Sequence, residues 1–185
     1  MVFTMWDIAS DKSYIVDLEV PVLDLKNHRV PFAINMLDII NEKMSSKITN
    51  IENFRWGIVG GINNGETLLG YVGAYTGDGQ PAANTANMIA QRVKKLKNYY
   101  KANDFSGESH EVSVAEPHQV GHYLQIWQGD FWGIEDTKLE GKVGDKALTM
   151  WSFFAKSWTE FDKQSLGVVT LNNKGILVFK AHTQE

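Results

Sequence analysis

Lys146-Ala147-Leu148-Thr149-Met150-Trp151-Ser152-Phe153-Phe154-Ala155-Lys156-Ser157-Trp158-Thr159-Glu160-Phe161-Asp162-Lys163 is the stretch on which the fold turns. Its aromatics Trp151, Phe153, Phe154 and Trp158 suit a strand. Its polar positions suit a helix instead: Thr149, Ser152, Lys156, Thr159 and Lys163 recur at steps of three and four. Ala147, Leu148, Trp151, Phe154, Ala155, Trp158 and Phe161 fill the opposite face. The spacing predicts an amphipathic helix over 146–163, with Asp145 as its N-cap.

After this helix, Leu166 to Leu171 and Ile176 to Lys180 flank Asn172-Asn173-Lys174-Gly175 and read as a closing hairpin. Before it, His122 to Gln128 and Phe131 to Glu135 flank Gly129-Asp130, a two-residue connection that sets Trp127 opposite Trp132. Glu111 to Val114 is a short strand. Phe54 to Ile62 and Glu66 to Tyr75 form a further hairpin across Asn63-Asn64-Gly65. The glycines dense in this hairpin mark a bulge, a bend, or a close approach of backbone or ligand.

Nearer the N-terminus, residues 13–25 are rich in β-branched types and read as a strand broken or bulged at Pro21, at a sheet edge. Pro31 opens a helix over about 31–49, in which Ala33, Met36, Leu37, Ile40, Met44 and Ile48 form one stripe. A third helix spans about 81–102, from Pro81 to a stop at Asn103-Asp104. The sum is an α+β fold in one domain, residues 1–185: a largely antiparallel sheet of about seven or eight strands built from hairpins, with three amphipathic helices. Strand, helix and hairpin recur in both halves, an order that a duplication would leave, although the halves share no residue-level similarity.

Composition agrees with a chain that folds by itself. Of the 185 residues, 43% are apolar and 22% charged, far from the balance of a disordered chain. The absence of cysteine excludes disulfides, Cys-ligated zinc, iron–sulfur clusters and thiol nucleophiles. The first residues carry no basic n-region, and no apolar run approaches the ~18 to 20 residues of a membrane span. A cytoplasmic protein, or one released without a cleavable signal, is expected.

Charge supplies the functional expectation. Residues 81–101 carry Arg92, Lys94, Lys95, Lys97 and Lys101 and no acidic residue, whereas the whole chain has 18 Lys and Arg against 22 Asp and Glu. Without those five the balance is 13 against 22, so the formal charge of −4 becomes −9 elsewhere. On a helical wheel, Ala82, Ala86, Ile89, Val93, Leu96 and Tyr100 form a stripe flanked by the cations, and Asn84, Asn87, Gln91 and Asn98 lie opposite. Long basic side chains beside an apolar stripe suit an anionic membrane surface. They suit nucleic acid less well, because phosphate binders present one basic face and a more positive chain than a sequence pI near 5.7 describes. If the stripe packs on the sheet instead, the lysines are solvated rim charges.

Trp127 and Trp132, beside a tight turn, are candidates for aromatic contact with such a surface. The leading expectation is thus a non-enzymatic protein binding an anionic surface, a membrane above all, with no cofactor; a toxin-like or cytolysin-like role fits. The rival is a small-molecule-binding domain or enzyme with a pocket between sheet and helices. There Glu116, His118 and His122 could converge as His and carboxylate ligands of Zn²⁺ or a non-haem iron, or could simply make local hydrogen bonds in a surface loop. Gly77-Asp78-Gly79-Gln80-Pro81 precedes a helix start but lacks the Gly-Lys-Ser/Thr of a Walker loop. No recognised hydrolase, metalloprotease or EF-hand motif occurs.

Overall fold

Antiparallel pairing between strands far apart in sequence dominates the computed structural model, which describes residues 1–28, 30–62, 72–77, 110–119, 122, 141–144, 147–155 and 161–182. Ten strands and two helices occur among these residues: β1 (Val2–Asp7), β2 (Lys12–Asp17), α1 (Val22–His28), β3 (Phe32–Asn35), α2 (Met36–Lys43), β4 (Phe54–Ile62), β5 (Val72–Gly77), β6 (Val112–Ala115), β7 (Gly141–Lys142), β8 (Leu148–Ala155), β9 (Phe161–Leu171) and β10 (Ile176–Ala181). The strand order is β3-β10-β9-β8-β5-β4-β1-β2-β6, and β7 pairs with β4 beside β5. Every pairing is antiparallel. The α+β class therefore holds, with a sheet larger than expected and, among the described residues, two helices.

One face of this sheet carries the core. Cross-strand partners Phe3, Val16 and Ile58, then Met5, Tyr14 and Trp56, lie on it at one end; Val169, Phe179 and Leu148, then Leu171 and Leu177, lie on it at the other. They belong to a single buried cluster with Val22 and Leu25 of α1 and Met36 and Ile40 of α2. α2 touches β10, next to one edge of the strand order, and β6, the opposite edge. The sheet thus curls until its two ends flank one helix, which joins residues near both termini of the path in one core.

The strongest departure from expectation is 146–163, whose described residues are strand rather than helix: Leu148–Ala155 is β8 and β9 begins at Phe161. Leu148 and Met150 are buried while Thr149 and Trp151 are only half-buried, so the backbone alternates. The adjacent aromatics Phe153-Phe154 erase that alternation in sequence, and a run apolar on both sides resembles a helix segment. β8 pairs with β5 on one side and β9 on the other, and long-range ladders override the local pattern. Between Met150 and Trp151 the register on β9 shifts from Gly167 to Ser165, leaving Leu166 as an extra residue in a bulge.

Other corrections are local. The strand predicted over 13–25 stops at Asp17. Pro21 sits before a helix rather than in a strand, its carbonyl accepting from Leu25 N–H at 3.1 Å. The helix predicted from Pro31 starts at Met36, because Phe32–Asn35 pairs with β10 and Asn35 caps the helix by accepting from Asp38 N–H at 3.3 Å. It ends at Lys43. Beyond it, Asn41 bonds the backbone of Ile48 in both directions, at 2.7 and 2.9 Å, which packs Met44 and Ile48 on the core without further helix. The hairpin of β4 and β5 is present, but Ile62 pairs with Val72, so the connection is longer than the expected Asn63-Asn64-Gly65 turn. β6 and the closing β9–β10 hairpin follow the sequence reading. β1 has no counterpart in it. The basic segment 81–102 and the Trp127/Trp132 hairpin lie outside the described residues.

At Gly60 the function of a strand glycine is visible. A Cβ there would sit 2.8 Å from Met1 Cγ and 2.9 Å from Val22 Cγ2, so the missing side chain lets α1 close on β4.

Candidate functional site

The second face of the sheet is where polar chemistry gathers. On β1, β2, β4 and β6, Thr4, Ser13, Ile15, Val59 and Ala115 are fully buried, although the main core lies on the other side. Thr4 Oγ1 donates to the Gly57 carbonyl at 3.3 Å, so its burial leaves the hydroxyl satisfied. Trp6 lies on this face between its partners Ser13 and Arg55. A covered sheet face bearing Thr, Ser, Trp and Arg is a place where buried polar groups must be matched one by one.

At the rim of this face stands a cluster that joins two turns. The β1–β2 turn is closed by Asp7, which accepts from Ala9 N–H at 3.0 Å and from the Ser10 hydroxyl at 2.5 Å. Asp11 then takes a left-handed backbone, φ 54°, a conformation that Asp tolerates better than most residues. Its carboxylate accepts from Trp6 Nε1–H at 2.9 Å. His122 Nε2 lies 2.8 Å from the Asp11 carbonyl and 3.3 Å from its carboxylate oxygen; two acceptors at one nitrogen require that Nε2 carry the proton. The imidazole also meets Trp6 edge-on, with centroids 6.3 Å apart.

The second turn holds His122 in place. Gln119 N–H donates to the Glu116 carbonyl at 3.1 Å, Gln119 Oε1 accepts from Glu116 N–H at 2.8 Å, and His122 N–H donates to the Gln119 carbonyl at 2.8 Å. Glu116 reaches Lys12 Nζ at 3.1 Å in a half-exposed ion pair, a contact that contributes little to stability. A parallel arrangement ties β2 to β6: His110 N–H donates to Glu19 Oε1 at 2.9 Å and its Nδ1–H to the Asp17 carbonyl at 3.2 Å. Glu19 and His110 are both left-handed, at φ 55° and 49°.

Of the three residues proposed as metal ligands, the structure brings none to a common point. His122 is buried against Asp11 and Trp6, Glu116 faces Lys12, and His118 is exposed at φ 70°. Among the described residues no three His, Asp or Glu side chains gather as a metal would require. His122 with its Nε2 engaged and its ring closed to solvent is placed as a clasp. Tyr14 extends the electrostatics of this end. Burial, and next to it the charge of Asp7, push its phenol above the ordinary tyrosine value.

Asp11 and Trp6 were not singled out from sequence, because they stand more than 110 residues from His122 and no short-range spacing links them. Arg92, Lys94, Lys95, Lys97, Lys101, Trp127 and Trp132 lie outside the described residues. No protein-family model, no curated protein and no solved structure matches the chain.

Proposed function

We propose that this is a non-enzymatic binding protein that attaches to an anionic surface, a membrane, through Arg92, Lys94, Lys95, Lys97 and Lys101, with Trp127 and Trp132 adding aromatic contact. The observation that carries it is the charge contrast: five cations and no carboxylate in residues 81–101 of a chain whose formal charge is −4. Such a segment is attracted to anionic lipid while the acidic remainder is repelled, which orients the protein on the surface.

Co-sedimentation with phosphatidylserine-containing vesicles, against phosphatidylcholine vesicles, tests this. Binding to the anionic vesicles should fall as salt is raised, because surface charge is screened beyond a Debye length of about 10 Å at 0.1 M salt. Replacing Lys94, Lys95 and Lys97 by Gln should weaken it on the order of a hundredfold, from about 1 kcal/mol per lysine near the surface. Binding unchanged by both salt and the triple replacement would sink the proposal.

A further inference from the structure

Where β8, β9 and β10 lie side by side, the bulge on β9 gathers side chains from all three strands on the second face. Pairing with β8 steps there from Gly167 to Ser165, and Leu166, the extra residue, is buried in the core. Ser165 therefore stands opposite Trp151. Its Oγ lies 3.0 Å from His182 Nε2, and His182 N–H donates to the Leu166 carbonyl at 3.0 Å, which ties the end of β10 to the bulge. Exposed Lys180 precedes His182 by two positions on the same side of β10.

Two groups here have a hydrogen to donate. The Trp151 ring is half-buried, yet its Nε1–H is shut off from water and has no hydrogen-bond partner, which carries the desolvation cost of a donor with no bond in return. The Ser165 hydroxyl can accept from His182 Nε2–H and still donate its own hydrogen, since a hydroxyl is donor and acceptor at once. The described acids nearest in the pairing face elsewhere. Asp162 stands opposite Phe154, so alternation puts it on the first face. Asp38 bonds Asn35, whose partner Ile176 begins β10 at its other end, about 20 Å from His182 at ~3.3 Å per residue.

We propose that this corner is a binding site for a phosphate group: Trp151 Nε1–H and Ser165 Oγ–H bond its oxygens, Lys180 supplies opposing charge, and His182 orients the serine hydroxyl. A tetrahedral phosphate offers oxygens to donors on three neighbouring strands, whereas a planar carboxylate offers two in one plane, and bonds to an anionic acceptor are the stronger ones. The site uses no residue of 81–101 and stands apart from the proposed membrane contact.

The test follows the tryptophan indole N–H resonances of the isotope-labelled full chain, with Trp151 assigned through Trp151→Phe. The probes are inorganic phosphate, phosphoserine, a short-chain phosphatidylserine, acetate, and sodium chloride at matched ionic strength. The Trp151 signal should move downfield and saturate with phosphate while chloride leaves it in place. Ser165→Ala should weaken binding about fivefold and Lys180→Gln about threefold, with unfolding midpoints unchanged. His182→Ala should weaken it about threefold, and His182→Gln, whose amide can still donate to Oγ, should restore it. A response to phosphoserine assigns the site to soluble phosphate esters, and one confined to phosphatidylserine assigns it to lipid head groups; either upholds the site. A Trp151 signal that no phosphate compound moves, that chloride or acetate moves equally, or that titrates alike in Ser165→Ala overturns it.

Discussion

The two ends of the sheet differ in what lies over their second face, and the difference explains how their sequences read. On β10 the residues alternate between half-exposed and buried as one face meets core and the other water, and that strand is recognisable from its pattern. On β2, Ser13, Tyr14, Ile15 and Val16 are buried in succession, because both sides are covered. A strand buried on both faces has no period of two to show, and small or hydroxylated residues such as Thr4 and Ser13 are accepted there when their polar atoms find partners. The doubly covered end therefore has structural demands on both faces, and the open end on one.

The sharpest break of this contrast is a matched pair of truncations. Ile15→Ala on the covered second face should lose about 2–5 kcal/mol, as fully buried Ile truncations do. Thr170→Ala on the open face should stay within about ±0.5 kcal/mol. Equal losses in urea unfolding would mean that the two ends are not differently covered.

Next in size is Gly175→Ala, in the hairpin at the open end. Its φ of 77° is left-handed, and a Cβ would lie 2.3 Å from Leu37 Cβ, where the hairpin seats on α2. A cost of about 1–3 kcal/mol is expected from the backbone alone, with the overlap adding to it. Leu37→Ala retains the offending Cβ, so a double variant regaining wild-type stability would contradict this explanation.

A smaller effect separates two histidines at the covered end. His122→Ala removes the donor to Asp11 and should cost about 1–3 kcal/mol. His118→Ala, exposed, should change stability by no more than about 0.5 kcal/mol in the same assay. Should the two variants unfold alike, His122 is no clasp.

The last prediction concerns pH. The folded state holds the Tyr14 proton more tightly than an unfolded chain does, since its phenol is raised by burial and by Asp7. That stabilisation is complete below the ordinary tyrosine value of about 10 and is lost as pH rises from there toward the raised folded value. Unfolding midpoints followed upward from pH 9 should fall less steeply in Tyr14→Phe; identical slopes would remove Tyr14 from the account.

Several elements were legible because their information is local. The β9–β10 hairpin combines alternation with Asn172-Asn173-Lys174-Gly175, and there Asn172 Oδ1 accepts from Lys174 and Ile176 N–H while Gly175 takes positive φ. The residues of α2 carried a helical stripe, though its start was set by pairing of Phe32–Asn35 with β10, a partner more than 140 positions away. Residues 146–163 misled because steps of three and four among polar residues arise by coincidence in a run apolar on both sides, and only β5 and β9 reveal it as a strand. The candidate site was half visible: Glu116 and His122 were noticed as chemistry-bearing, but Lys12, Asp11 and Trp6, which engage them, lie in the first hairpin.

By itself the sequence determined the class of fold, the absence of cysteine chemistry, the closing hairpin and the concentration of charge in residues 81–101, because each follows from composition or from neighbours within a few positions. Only the tertiary structure decided that the sheet curls round α2, that one end is covered twice, and that His122 serves Asp11 rather than Glu116. Those outcomes depend on which distant strands pair, and pairing is settled by the joint burial of side chains that no local window contains.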